Sequence, residues 1–160
     1  MTRINLVPPE ELMDQHLFAE FREIKMVPKS LRRSLRAAWQ REFDKNDMGH
    51  FDEQRTKLAI QAVLKKIPPA YTLNTGHVSF FYDKGAYLSK RYEALKAELV
   101  RRGFNFNQDS PLDPDNMFQL EAFNNDYDPT PEALVIIRTR IAEKIALKPH
   151  WYRYEGKPIK

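Results

Sequence analysis

Residues 85–103 read GAYLSKRYEALKAELVRRG, and this stretch carries the clearest fold signal in the chain. Its apolar residues recur every three or four positions, which places them on one face of an α-helix. Gly103 follows two arginines, at the position where a glycine commonly ends a helix. The pattern predicts a long helix from Gly85 to Arg102, whose inward face is made of Tyr87, Leu88, Tyr92, Leu95 and Leu99.

Similar helical patterns cover much of the remaining chain. Prolines stand at the starts of three of them, where the missing N–H costs nothing. Thr130 before Pro131 is an N-cap followed by a proline in the first turn. The further predicted helices are one that starts after Pro9 and ends at Ile24, one that starts at Pro28, one over residues 52–66 and one from Pro131 to Leu147, with a loop over 44–52.

Strand signals are few. Residues Val78–Tyr82 contain β-formers but adjoin helical sequence, so they are interpreted as a helix entry. The connector over residues 105–130 is loop-like, with at most a short helix near Met117–Phe123. The predicted class is therefore all-α: residues 1–160 form one compact domain of packed helices, with an extended N-terminal segment and an aromatic C-terminal tail.

Composition narrows the possible functions. The chain has 160 residues, 42% of them hydrophobic, which suits one soluble domain. The absence of cysteine excludes disulfides, cysteine-ligated zinc and thiol catalysis. The four histidines lack metal-ligand spacing, and no glycine-rich nucleotide loop occurs, so neither a metal nor a cofactor is expected. With no transmembrane run and no secretory segment, we expect a cytoplasmic protein that needs no membrane and no second copy of itself.

Charge is unevenly distributed along the chain. Residues 1–102 hold 19 Lys and Arg against 13 Asp and Glu, whereas residues 103–130 hold six acids and no base. Residues 131–160 again hold seven bases against three acids. Two basic segments thus flank an acidic connector, which indicates a polyanionic partner such as nucleic acid.

The C-terminal tail interleaves rings and cations in the run Trp151, Tyr152, Arg153 and Tyr154. Aromatic faces stack on nucleobases and cations bind phosphates, so this mixture suits nucleic acid. The same rings are equally suited to dock on the protein core. Arg140 and Lys144 lie one turn apart on the preceding predicted helix, either as phosphate contacts or as a solvated face.

Three ionisable residues of the first predicted helix share a face. His16, Glu20 and Glu23 are spaced at i, i+4 and i+7, which stacks them over two turns. Taken alone, Glu23 near a helix C-terminus is most simply a surface residue, although a carboxylate there opposes the helix dipole. Likewise, His16 alone is more often structural than a ligand.

Several collinear stretches resemble the phage endonuclease V family of pyrimidine-dimer DNA glycosylases. The identities at the very N-terminus are specific, because chain termini usually vary. The matching stretches are MTRINL at 1–6, DQHL at 14–17, AEFRE at 19–23, GHVSFFYDK at 76–84, RGFN at 102–105 and EKIA at 143–146, leading into Trp151 and Tyr152.

The resemblance implies a bifunctional repair enzyme that uses no metal or cofactor and acts on damaged double-stranded DNA. It implies that the α-amine of Thr2, freed when Met1 is removed, attacks the sugar at a cyclobutane pyrimidine dimer and forms a Schiff base. The same site then nicks the resulting abasic strand by β-elimination. Glu23 matches the carboxylate that stabilises the cationic sugar and moves protons.

The resemblance also implies a set of DNA contacts. Lys25 joins this set because it stands beside Met26, which occupies the place of a family arginine. The tail arginine, Arg153, belongs with the aromatic residues on either side of it. The predicted DNA-binding residues are Arg3, Gln15, His16, Arg22, Lys25, Arg140, Lys144, Trp151, Tyr152, Arg153 and Tyr154.

The chain departs from the family pattern at a few places. Besides Met26, Phe21 replaces a tyrosine, and Glu155 interrupts the aromatic tail. An insertion lies at about residues 37–66, and we interpret it as surface padding, because its acids nearly match its bases. These departures leave three alternatives: an abasic-site lyase or glycosylase with another lesion preference, a non-catalytic DNA-binding module, and a helical protein-interaction domain.

Overall fold

A computed structural model describes residues 3–46 and 52–159. The described part is mainly α-helical, which confirms the predicted class, and none of its helices is long and apolar enough to cross a membrane. The elements are α1 (Asp14–Glu23), α2 (Met26–Asn46), α3 (Asp52–Lys65), α4 (His77–Phe80), α5 (Gly85–Arg101), α6 (Pro131–Leu147), β1 (Arg153–Tyr154), β2 (Lys157–Pro158) and three 3-10 turns (Pro9–Glu11, Met117–Gln119, Glu121–Phe123).

The centre of the core is the contact between α1 and α5. Leu17, Phe21 and Ile24 are buried on α1, as their spacing predicts, and they meet the buried face of α5. The predicted α5 face is confirmed at four positions, whereas Tyr87 is only partly buried. The amide of Gly103 bonds the carbonyl of Val100 and that of Phe104 bonds Leu99, so the helix ends in the Schellman motif that the glycine predicts.

The first helix begins later than predicted. Residues Pro9–Glu11 form a 3-10 turn, and Leu12 then adopts an extended conformation before α1 starts at Asp14. Arg102 from the end of α5 donates to the carbonyls of Pro9 and Glu10. The Arg102 side chain thus binds carbonyls that a continuous helix would have used for its own hydrogen bonds. The late start of α1 cannot be predicted from the local sequence, because Arg102 is distant along the chain.

The insertion supplies the second half of α2 and all of α3, and the two helices pack together. Ala38 of α2 and Ala59 and Val63 of α3 are buried in the same core. Small residues let the two backbones approach closely, so the added residues extend the core as well as the surface. α2 starts two residues before Pro28, which lies in the first turn and is tolerated there. Of the predicted loop over 44–52, its first three residues continue α2, and residues 47–51 lie outside the described residues.

The connector and the last helix follow the sequence prediction closely. Two 3-10 turns over Met117–Phe123 bury aromatic side chains against the start of α5. Thr130 caps α6, since its hydroxyl oxygen accepts the amide of Ala133 at 3.1 Å. α6 buries only Ala133 and Ile137 completely, so its polar side stays accessible beside α1.

The tail folds as a short hairpin, which the sequence did not predict. β1 and β2 pair antiparallel around Glu155 and Gly156, both in the left-handed region with φ of 53° and 80°. The amides of both turn residues donate to the Asp14 carboxylate, at 2.9 and 2.7 Å. This contact across the chain supports the unusual backbone of Glu155, and no local pattern reveals it.

Candidate functional site

A surface pocket of about 280 Å³ lies where the N-terminal segment crosses α1 and approaches α6 and the tail. It contains two cations, Arg3 and Lys144, and two carboxylates, Glu20 and Glu23. The remaining lining residues are Asn5, His16, Ala19 and Tyr152. Residues far apart in sequence therefore meet in one place, and the predicted face of His16, Glu20 and Glu23 forms one wall.

The two carboxylates have different surroundings. Glu20 is fully buried and forms a bidentate ion pair with Arg91, with N–O distances of 2.7 and 2.9 Å. Glu20 also accepts the backbone and side-chain amides of Asn5, at 3.2 and 2.8 Å. Arg91 in turn donates to the carbonyl of Val7. Both carboxylate oxygens of Glu20 are thus used in holding the fold together.

Glu23, by contrast, is half-buried at the last position of α1. Within the described part of the chain, its carboxylate forms no ion pair. Arg3 and Lys144 line the same pocket and supply a positive potential there. Glu23 is therefore the carboxylate available for chemistry, whereas Glu20 is a structural one.

His16, which lines the pocket, has a lowered pKa. Burial lowers the pKa of His16 from 6.5 to about 4, and the nearby charges of Arg3 and Lys144 lower it further. Its ring lies 4.8 Å from the ring of Tyr152. Its Nδ1 is buried without a hydrogen-bond partner among the described residues. His16 is neutral at pH 7 and can accept a hydrogen bond from a bound molecule.

We expect an NMR titration of His16 to give a pKa of about 4, with the His16→Asn variant assigning the signal. Because the folded pKa is below the unfolded value, the unfolded chain binds the proton more readily. The contribution of His16 to stability is therefore complete above pH 6.5 and is lost as the pH falls towards 4. Lys144→Gln should raise the pKa. A pKa at or above 6.5 would show that the ring is not enclosed as described.

The tail is fixed to α1 by side chains that were predicted to bind DNA. The Gln15 amide donates to the Trp151 carbonyl at 2.7 Å, and its oxygen accepts the Arg153 amide at 3.0 Å. The Tyr154 hydroxyl donates to the Glu10 carbonyl, and the guanidinium of Arg102 lies 4.2 Å from the Tyr154 ring centre. Gln15 and Tyr154 thus dock the tail on the core, which is the alternative that the sequence left open.

The rest of the tail divides into a buried and an exposed part. Tyr152 is buried and contributes one wall of the pocket. Trp151 is 55% exposed and packs edge-on against Tyr152, with ring centres 5.0 Å apart. Arg153 is exposed as well. A large apolar ring and a cation therefore stand in solvent at the pocket rim.

Other predicted residues lie around or beyond the pocket. Arg22 is exposed on α1, and Arg140 lies one turn before Lys144 with its guanidinium 3.7 Å from Glu143. The structure does not bring Lys25 to the pocket. Its ammonium donates to Ser110 at 2.8 Å and lies over the ring of Phe21, and burial together with Lys29 lowers its pKa. Thr2 lies outside the described residues.

Phe21 and Met26 show what two of the departures do. The Phe21 ring is buried and stacked on Tyr92, with centres 5.4 Å apart, so it needs no hydroxyl partner. Met26 is 38% exposed at the start of α2.

Two residues that shape the site, Asn5 and Arg91, do not stand out in the sequence. Each acts through Glu20, which lies 15 residues from Asn5 and 71 residues from Arg91. Among described residues, no cluster of three His, Asp or Glu is arranged to hold a metal ion.

The fold and this site together define a small helical protein with a cation-lined pocket around a free carboxylate. A protein-family model described as pyrimidine dimer DNA glycosylase matches residues 1–112, of 160. The chain belongs to this family, which confirms the resemblance seen in the sequence, and it is a DNA-repair glycosylase that acts on damaged DNA. The matched part includes the N-terminal segment, α1 and α5, whereas α6 and the tail follow it.

Proposed function

We propose that the protein cleaves the glycosidic bond at cyclobutane pyrimidine dimers through a Schiff base on the Thr2 α-amine, and then nicks the abasic strand by β-elimination. One observation carries the proposal: Arg3, the residue after Thr2, lines the same pocket as Glu23. A nucleophile on residue 2 would therefore be within one residue of that pocket. Family membership supports the glycosylase step.

The surroundings suit an amine nucleophile. An α-amine has an ordinary pKa of about 7.7–8.0, so a useful fraction is neutral near pH 7, unlike a lysine at about 10.4. Arg3 and Lys144 in the pocket disfavour a further positive charge and thus the ammonium form. The neutral amine attacks C1′ of the sugar and the pyrimidine leaves with the glycosidic electron pair, after which the attached nitrogen loses a proton. The C1′–O4′ bond then breaks, its electron pair goes to O4′, which takes up a proton, and the iminium forms between the nitrogen and C1′.

Glu23 then has two tasks. Its carboxylate opposes the positive charge that develops on the sugar and iminium, and it moves protons during ring opening and elimination. Lys144 and Arg3 line the same pocket and place positive charge beside this carboxylate. After a C2′ proton is removed, the elimination breaks the bond between C3′ and its phosphate oxygen, and the phosphate leaves with the electron pair of that bond. Water then hydrolyses the conjugated imine, which releases the unsaturated aldehyde on the nicked strand and restores the amine.

The accessible cations and rings supply the DNA contacts. Arg3, Arg22, Arg140, Lys144 and Arg153 would bind phosphates around the lesion. Trp151 would stack beside it, and the neutral ring of His16 would accept a hydrogen bond. Gln15, Tyr152 and Tyr154 would contribute to DNA binding indirectly, by holding the tail in place. Lys25 points elsewhere, so its role is limited to DNA that reaches the Ser110 side.

We further infer that residues 1–160 work as a single repair domain. The protein would act as a monomer and in the cytoplasm. The extension formed by α2 and α3 then enlarges this one domain, since its apolar residues join the same core.

Blocking the α-amine tests the proposal directly. Acetylation of the Thr2 amine should abolish borohydride trapping on dimer-containing duplex, because an amide nitrogen cannot form an imine. The control is the same protein with a free amine, and gel shifts should show equal duplex binding by both. Undiminished trapping by the acetylated protein would exclude the N-terminal amine as the nucleophile.

Lys144→Gln tests the electrostatic part of DNA binding. We expect weaker binding to every duplex sequence, and a salt dependence, d log K against d log [salt], shallower by about 0.9. Lys90→Gln is the control, because it removes the same charge from a lysine that is exposed but already paired with Asp126 at 2.5 Å. An unchanged slope for Lys144→Gln would remove Lys144 from the phosphate contacts.

A further inference from the structure

The backbone of Ile4 is held on both sides by side chains from a distant segment. Its amide donates to Nε2 of His77 at 2.8 Å, and its carbonyl accepts the hydroxyl of Tyr71 at 2.7 Å. Ile4, Tyr71 and His77 are all buried. Residues 3–7 belong to no strand or helix, so these side chains replace the backbone partners that a sheet would provide.

The direction of these bonds fixes the state of His77. A backbone amide can only donate, so Nε2 carries no proton, and Nδ1 donates to the Thr72 carbonyl at 2.8 Å. Burial lowers the pKa of His77, which favours this neutral form. A protonated ring would present a second donor to the Ile4 amide, so only the neutral ring fits.

The next residues are held equally firmly. Both amides of Asn5 donate to Glu20 of α1, and the Val7 amide bonds the Asn5 carbonyl at 2.6 Å across a tight turn. Leu6, at the centre of this turn, has a φ of 61°, a left-handed conformation that is strained for a leucine. Strain of this kind persists only where the surrounding contacts over-determine the backbone, and it concentrates at functional sites.

We propose that His77 and Tyr71 are positioning residues that hold the N-terminal segment so that the α-amine of residue 2 meets the sugar beside Glu23. The inference rests on the proposed function. Residue 2 lies two residues from Ile4, at most about 7 Å along the chain, so the position of Ile4 limits the region that the amine can reach. A displacement of about 1 Å can cost about 10²-fold in rate when a reaction depends on orientation.

Single-turnover borohydride trapping tests this inference, with saturating duplex that contains one abasic site and with protein whose N-terminus is free. His77→Leu removes the acceptor and should slow trapping by about 10²-fold. Tyr71→Phe removes one hydroxyl and should slow trapping by about three- to tenfold. Duplex affinity should stay unchanged for both, because neither side chain is exposed to DNA.

Two further variants separate positioning from general structure. His77→Gln should largely restore trapping, because its amide can present an acceptor to Ile4 and a donor to Thr72. Tyr82→Phe is the control, because Tyr82 is also a buried tyrosine with a bonded hydroxyl, but this hydroxyl contacts Ser30 and Ser34 of α2. It should trap at the wild-type rate.

The outcomes are distinguishable. If the wild-type protein fails to trap the abasic duplex, the proposed imine mechanism fails and the positioning role falls with it. A thermal unfolding transition first shows that Tyr71→Phe is folded. If the wild type then traps and Tyr71→Phe traps at the rate of Tyr82→Phe, the positioning role is overturned while the mechanism stands. Tyr71→Phe decides the matter even if His77→Leu does not fold.

Discussion

Replacing Glu23 with glutamine is expected to lower nicking of dimer-containing duplex by about 10²–10⁴-fold, the usual contribution of a positioned acid or base. Glutamine keeps the size of the side chain but removes the charge that opposes the cationic sugar and the group that moves protons. Glu23 forms no ion pair within the described residues and is half-buried, so the fold should tolerate the change. The rate of single-turnover cleavage should therefore fall, whereas the affinity for duplex should stay unchanged.

Glu93→Gln is the appropriate control for this variant. Glu93 lies on α5 with 70% of its side chain exposed, and its partner Lys96 is on the same helix. This control should cleave at the wild-type rate. Cleavage by Glu23→Gln within about threefold of the wild type would show that the carboxylate has no part in the reaction, because general acid–base groups contribute far more.

Replacing Arg91 with methionine is expected to lower the free energy of unfolding by about 3–5 kcal/mol, the usual cost of breaking a buried ion pair. The variant leaves the Glu20 carboxylate fully buried without its main partner, and the Val7 carbonyl also loses a donor. Burial opposes the charge of Arg91, but the charge and hydrogen bonds of Glu20, together with Tyr87 and Tyr71, raise the pKa of Arg91 above its ordinary value. Urea denaturation at pH 7 measures the loss.

Lys90→Met makes the same kind of change one residue earlier on α5. Lys90 pairs with Asp126, but its side chain is 71% exposed, and exposed pairs contribute only about 0–1 kcal/mol. Changing both Glu20 and Arg91 to apolar residues should recover much of the loss, because no buried charge then remains unpaired. An equal, small effect of Arg91→Met and Lys90→Met would show that the Glu20–Arg91 pair is not buried as described.

The parts of the fold that the sequence predicted depend on neighbours along the chain. The apolar face of α5, the Gly103 cap and the Thr130 cap involve residues at most five positions apart, and the structure confirms them. The grouping of His16, Glu20 and Glu23 on one wall is also a property of helical spacing alone.

The parts that it missed depend on distant partners. The turn at Glu155 and Gly156 exists because Asp14, far along the chain, accepts both amides. Glu20 depends on a distant partner as well. Helical spacing alone makes Glu20 equivalent to Glu23, and the ion pair with Arg91 is what distinguishes the two. The sequence predicts that Lys25 replaces the arginine missing at Met26, but its ammonium instead donates to Ser110 and lies over the Phe21 ring.

Borohydride trapping of protein with a native N-terminus, on two duplexes, tests the central claim most directly. One duplex carries a single cyclobutane thymine dimer and the other an abasic site. The account predicts a covalent complex on both, because one amine performs both the glycosylase and the lyase step. A complex on the abasic duplex alone would keep the lyase chemistry but move the lesion preference elsewhere, with Met26 the first residue to examine. Binding without a complex on either duplex would contradict the imine mechanism.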